Sequence, residues 1–367
     1  MRSGYTASRL YSGTDATMRL GLRLATPAWL CVAAALLLSL MGIVAIGTTR
    51  PELAARQGIF LMVGLAAAFI ACVVPPRAQR VLCWSVLAVA LALLVFVLLP
   101  FVPRSLVTPR NGARAWINMG AADFQPSELA KIAFILCLSQ WYSLQGSPRT
   151  IAALVVPSCI AAVLVGLIVK EPDLGSALLF APTFLGITIV AGVRMRAVWL
   201  AIVAQVQGDD RFESGIGFQG WRAMRLVGAG GVFGNDRERA KALIEFNRLP
   251  EEHNDMVFAV VACRFGLVGA GTALLAYGAF AFGAFSMAML ARDGFTKLVA
   301  VGIGSLLMAQ MTVNIGMTIG LLPITGVTLP FVSYGGSSLL SCWVLTGLLV
   351  GIGIRPPTGG EKDPFDG

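Results

Sequence analysis

The chain has 367 residues, of which 57% are hydrophobic and 13% charged, at a mean hydropathy of +0.79. Soluble domains carry about 25% charged residues, so this composition excludes a soluble globular protein and describes an integral membrane protein. The net charge of +9 is scattered between apolar runs rather than gathered on one face, which excludes a nucleic-acid partner and leaves topology or an anionic partner as its use.

Residues 1–26 are polar and carry Arg2, Arg9, Arg19 and Arg23. They read as a cytoplasmic tail rather than a cleaved signal, because the first apolar run is long enough to stay as a span. With roughly 20 apolar residues per crossing, the sequence predicts spans near 27–47, 57–74, 81–103, 128–143, 150–169, 173–193, 256–285, 297–322 and 332–354. A further stretch, 197–206, has about half the required length, ~15 Å as a helix. If it counts as a shortened seventh crossing, positive charge falls on every short inner loop: Arg77 and Arg80, Arg149, Arg194 and Arg196, Arg292 and Lys297, then Arg355 and Lys362 in the tail. The expectation is an all-α polytopic bundle of about ten crossings, one unit over 27–355, with both ends cytoplasmic and a large outer loop at 207–255.

Seven cysteines without CxxC spacing and a single histidine predict neither a disulfide framework nor a zinc site. Charge at the outer ends of the spans is more informative. Ser127 and Glu128 follow Pro126 as a helix start, with Ser127 as cap and Glu128 favoured by the dipole. Glu128 and Lys131 share a helix face, where they either neutralise each other or hold a polar cavity open outward. Lys170, Glu171 and Asp173 crowd the next outer end. Gly228–Gly234, GAGGVFG, lacks the frame of a phosphate-binding loop and suits tight turns or close approach of backbone to a ligand. Residues 235–248 read as an amphipathic helix able to lie on the bilayer, with Leu243, Ile244 and Phe246 on one side and Arg237, Arg239 and Lys241 on the other. Then Glu251, Glu252, His253 and Asp255 stand at the mouth of a long apolar run, where ionisable groups are costly unless they work. Asp255 is the candidate base. Finally, two prolines and a Gly-Gly pair in 321–340 break the last spans, and Ser333, Tyr334, Ser337 and Ser338 add hydrogen-bonding groups.

Five stretches together, GARAWINMGAADFQPSELAK, EPDLGSALL with AGVRMR, GFQGWRAMRLVGAGGVFG, LPEEHNDMVFAV and LLPITGVTLPFVSYGGSSLL, resemble the SEDS family (shape, elongation, division and sporulation) in family order. The resemblance implies a peptidoglycan glycosyltransferase with ten transmembrane helices. Such an enzyme polymerises lipid II on the outer face of the bacterial inner membrane, beside a class B penicillin-binding protein and the elongation or division machinery. The compact loops lean towards the RodA branch. Asp255 matches the family's essential aspartate, Glu128 and Lys131 its PSELAK pair, Asp173 its PDLG aspartate, and Arg56 with Gln57 its RQ pair.

The residue chemistry fits. The donor sugar is α-linked and the product bond β, so one base must take the acceptor proton as it attacks, the role of Asp255. The anionic pyrophosphate leaving group asks for Lys131, Arg56, Arg114, Lys170 or a bound Mg or Mn ion. His253 is expected to order the loop through a hydrogen bond, Ser333 to contact substrate, and Glu251 and Glu252 to be solvated. Three features depart from the family pattern: the short seventh span, Cys263 and Arg264 where A-E-E-F-G is usual, and Gly234-Asn235-Asp236 where GKG is usual. Two other readings remain open, a lipid II flippase, which broken helices suit, and a non-catalytic scaffold for the penicillin-binding protein. Charges clustered at outer ends favour surface chemistry over transport.

Overall fold

The computed structural model describes residues 26–103, 105–107, 113–120, 122–145, 152–192, 217–247, 251–291 and 293–355. Nearly all the ordered structure is helical. In chain order the helices are α1 (Ala28–Thr49), α2 (Pro51–Val73), α3 (Pro76–Leu98), α4 (Pro126–Gln145), α5 (Ala152–Lys170), α6 (Leu174–Leu178), α7 (Phe180–Val190), α8 (Gly217–Ala229), α9 (Arg237–Asn247), α10 (Val257–Leu290), α11 (Gly294–Thr318) and α12 (Gly336–Ile354). One antiparallel hairpin, β1 (Ile117–Asn118) with β2 (Asp123–Phe124), interrupts them.

Among the described residues seven helices, α1, α2, α3, α5, α10, α11 and α12, are long and apolar enough to cross a membrane. The centre is built from α4, α10, α11 and α12. From Ala130 to Gln140 every residue of α4 is buried, so protein rather than lipid surrounds it and polar groups such as Glu128, Lys131 and Ser139 are tolerated. The outer helices show the reverse: α2 turns Ile59, Met62, Phe69 and Ile70 outward.

The predicted span at 173–193 is broken. Pro182 has no N–H to give the carbonyl of Leu178, and the helix divides there into α6 and α7. Pro157 breaks the ladder of α5 in the same way, and the Trp141 indole donates to the freed carbonyl of Ala153 at 3.3 Å. The proposed short span 197–206 lies outside the described residues.

The 207–255 segment is more helical than its sequence suggested. α8 packs Ala223 and Leu226 inward beside α10. In α9 the expected apolar side divides: Ala240 and Ile244, four apart, are buried, whereas Phe246 is 81% exposed. The glycine-rich turn between them makes a close approach to backbone. It clasps a kink in α10 at Gly266, whose φ of 68° is left-handed. Leu267 and Val268 donate their N–H groups to the carbonyls of Gly231 and Val232 at 2.9 and 3.1 Å. A β-carbon on Gly266 would stand 2.3 Å from the nitrogen of Gly234, so neither residue has room for one.

Arginine ties the helices together at one end of the bundle. Arg355 donates to the carbonyls of Cys72 and Val73 at 2.6 and 2.7 Å, and Arg80 pairs with Asp293 while lying over Phe295. At the opposite end, where α10 begins, stand the carboxylates.

Candidate functional site

Asp255 sits in a tight turn, 251–256, immediately before α10. Glu251 starts the turn with a left-handed φ of 50°, and its carboxylate accepts from the Asn254 side chain at 2.6 Å. The next carbonyls are all held from outside. The Tyr334 N–H donates to His253 at 2.8 Å, Ser333 Oγ to Asn254 at 2.6 Å, and Asn314 Nδ2 to Asp255 at 2.8 Å. Asn314 also donates to Val327, and Gln57 grips the same loop by donating to the carbonyl of Ser333 and accepting from the N–H of Gly335. Two prolines and a Gly-Gly pair keep 321–335 out of helix, so its backbone groups are free to make this frame.

The frame fixes the Asp255 backbone and leaves its carboxylate without a hydrogen-bond donor among the described residues. Gly326, with φ of 71°, lies against it, and a β-carbon there would be 3.5 Å from Oδ2. Burial first, then the charges of Glu251 and Asp173, push the Asp255 carboxyl up to about 7. Asp173 caps α6 by accepting from the N–H of Ser176 at 3.0 Å, and Gln125 donates to its other oxygen at 2.9 Å. Behind it Glu171 is fully buried with both carboxylate oxygens unpartnered, and burial with the Asp173 charge raises it to about 8. Three carboxyl groups thus crowd one corner with few donors, so Asp255 and Glu171 keep their protons up to near-neutral pH.

The other expected residues fall elsewhere. Glu128 and Lys131 form a 2.9 Å ion pair with side chains 5% and 4% exposed, and Ser341 of α12 donates to the second Glu128 oxygen. Of the two readings, a pair that neutralises itself or one that holds a polar cavity open, the described residues show the closed pair. The crevice beside Lys131, walled by Phe134, Leu179, Phe180, Thr183 and Leu306, has no room for a water molecule. With both charges satisfied, apolar packing closes over them. Arg56 and Lys170 are exposed. Arg114 is half-buried and donates to the carbonyl of Val102 at 3.3 Å, serving the loop before the hairpin. None of Glu128, Lys131, Arg56, Arg114 or Lys170 is among the charges that shift Asp255. Asp173, His253 and Ser333 do share its corner.

Two details differ from expectation. The loop-ordering bond at His253 comes from its carbonyl, not its ring; the imidazole packs against Tyr334 with Nδ1 buried and unpartnered, and burial lowers its pKa. Glu252 is not solvated but 14% exposed and faces Arg50 at 3.8 Å. Asn314, Gln125 and Ser341 were not singled out in the sequence. A lone Asn inside the apolar run TVNIGM was the available signal, since polar groups at membrane depth are kept for a partner or a task. Among the described residues no group of three or more His, Cys, Asp or Glu side chains is placed to hold a metal ion.

Comparison with known proteins places this geometry. A family model described as cell cycle protein, for FtsW, RodA and SpoVE, matches residues 23–210 and 209–355. The chain is 32% identical to stage V sporulation protein E of Bacillus subtilis (strain 168), over 82% of this chain and 86% of that one. It is 31% identical to a probable peptidoglycan glycosyltransferase FtsW of Trichlorobacter lovleyi, over 83% and 85%. Among solved structures, the Thermus thermophilus rod shape determining protein RodA superposes with a TM-score of 0.69 at 30% identity, covering 89% of this chain and 96% of that one. A structure described as structural coordination of polymerization and crosslinking by a peptidoglycan synthase complex gives 0.74 at 26% identity, over 89% and 97%.

Proposed function

The chain belongs to the FtsW, RodA and SpoVE family, and on that premise we propose that it is a peptidoglycan glycosyltransferase of the bacterial inner membrane with Asp255 as its general base. Its substrate is lipid II and its partner a class B penicillin-binding protein, in keeping with the synthase complex it resembles. The bundle over 27–355 forms one unit of ten crossings, counting 197–206, with both termini cytoplasmic and the carboxylate corner outside.

The observation that carries the mechanism is the Asp255 carboxylate. It is positioned by its backbone, free of donors, and poised at about 7. A general base works best when its pKa lies near the operating pH. The Asp255 carboxylate takes the proton from the acceptor sugar's 4-hydroxyl as that oxygen attacks the donor anomeric carbon. The bond from that carbon to the pyrophosphate oxygen breaks, and the pyrophosphate leaves on its lipid with the electron pair. One displacement converts the α link to β. Burial, then the charges of Glu251 and Asp173, keep Asp255 basic enough to accept the proton, and Arg56 and Lys170 are exposed cations available to the leaving group.

Transport of lipid II through the bundle would need a polar path between the two ends. The charged pair inside α4 is closed on itself, which favours chemistry at one face over passage. The deciding experiment is glycan polymerisation from labelled lipid II by the purified chain with its penicillin-binding partner. Wild type should build long strands and Asp255→Ala none. If both are inert while the partner still binds, the chain is a scaffold and Asp255 loses its role.

A further inference from the structure

A groove of about 300 Å³ opens between the end of α1 and the start of α2. Val44, Gly47, Thr48, Pro51 and Ala54 line it, and Arg237 and Arg264 face them across it. We propose that these two arginines bind the anionic phosphate headgroup of a membrane lipid. The transferase mechanism uses neither residue, so the proposal rests only on the membrane placement of the bundle.

Charge accounting supports it. Arg237 spends one nitrogen on the carbonyl of Gly47 at 3.0 Å, and Arg264 one on the carbonyl of Asn235 while lying 5.7 Å from the Phe265 ring. Each guanidinium has five N–H donors, so most remain unspent. Neither arginine pairs with a carboxylate among the described residues, whereas Arg50 nearby faces Glu252 and Arg80 at the far end holds Asp293. The adjacent Asp236 is occupied in capping α9, accepting from the N–H of Arg239 at 2.8 Å. Two guanidinium groups without a carboxylate partner among the described residues favour an anion, and their fork geometry suits phosphate oxygens.

The groove also continues into an apolar track. Leu37, Leu40 and Val44 are 42, 54 and 51% exposed and lie on one face of α1, leading along the helix to the groove. A headgroup between the arginines would place its hydrocarbon chain along that face. The shared chemistry is an anionic phosphate on a long apolar tail, carried either by a bilayer phospholipid or by a polyprenyl phosphate.

The test is native mass spectrometry of the full chain released from phosphatidylcholine nanodiscs doped with phosphatidylglycerol or, separately, with polyprenyl phosphate. Wild type should retain one doped lipid, and the Arg237→Gln, Arg264→Gln pair should retain about tenfold less. Preference for phosphatidylglycerol marks a bilayer lipid and preference for polyprenyl phosphate marks the other source; either supports the site. Because the glutamines also remove two backbone contacts, a lysine pair at the same positions is measured alongside, with melting curves for all. Retention by the lysine pair within about threefold of wild type confirms that charge holds the lipid. Equal retention by wild type and the folded glutamine pair, or loss in a folded lysine pair as large as in the glutamine pair, overturns the proposal.

Discussion

The Glu128–Lys131 pair and the Asp173–Asp255 corner look alike in the sequence, since each puts opposite or clustered charges at the mouth of an apolar helix. The structure treats them oppositely. Glu128 receives Lys131 and Ser341, all three are buried, and apolar side chains seal the place. At Asp255 the hydrogen bonds are spent on the backbone, and like charges face each other with few donors. A satisfied buried pair holds helices together; an under-satisfied cluster stores a shifted proton affinity that a substrate can use. Charge at a membrane mouth is therefore not by itself the sign of a site. What the surrounding donors do with it decides.

Perturbing the two places should separate them. The largest effect is expected at Asp255, where alanine should lower polymerisation by ~10²–10⁴-fold, the usual contribution of a general base, with little change in melting temperature. Removing one member of the inner pair should act through folding instead. Lys131→Ala strands a buried carboxylate and should cost about 3–5 kcal/mol of stability, read as loss of folded protein in detergent. The paired change Glu128→Leu with Lys131→Met should recover most of that loss. If Lys131→Ala melts like wild type, the pair is not structural.

Gly266→Ala comes next, with a left-handed φ and a neighbouring backbone 2.3 Å from the new carbon. It should destabilise by about 1–3 kcal/mol, measured by thermal unfolding, with the clasp by the 228–234 turn opened. The remaining tests concern pH. With Asp255 at about 7, kcat/KM should climb as pH rises through about 7 and level off above, because only the ionised base accepts the proton. Asp173→Asn keeps a competent helix cap and removes one like charge, so the midpoint should fall by a fraction of a pH unit. An unmoved midpoint would separate Asp173 from the base.

Glu171 supplies the smallest effect. Its carboxyl is raised from 4.5 to about 8 in the folded chain. Below 4.5 both states hold the proton; between there and about 8 the unfolded chain ionises while the folded one does not, so stability falls as pH rises across that window. Glu171→Gln should therefore melt higher than wild type at pH 8, by about 2 °C or more, and the gain should fade towards pH 4.5.

Much of this was legible in the chain itself. Apolar runs of the right length set the helices, because a backbone in lipid must satisfy its hydrogen bonds internally and a helix does so locally. The prolines at 157 and 182 are where the ladders break. Asp255 stood out because an ionised side chain at such a place is expensive. The roles of Asn314, Gln57, His253 and the glycine-rich turn were not readable in that way. Asn314 lies 59 residues from Asp255, Gln57 lies 276 from Ser333, and no local pattern reports pairings so distant. Nor does the sequence say which of two charged clusters finds its donors. Composition and periodicity determined that the chain is a membrane bundle with charge at its mouths, since those follow from solvent and helix geometry acting on neighbours. Only the tertiary structure decided that Lys131 neutralises Glu128 while, among the described residues, no donor reaches the Asp255 carboxylate, because proton affinity depends on what folding brings within a few ångströms.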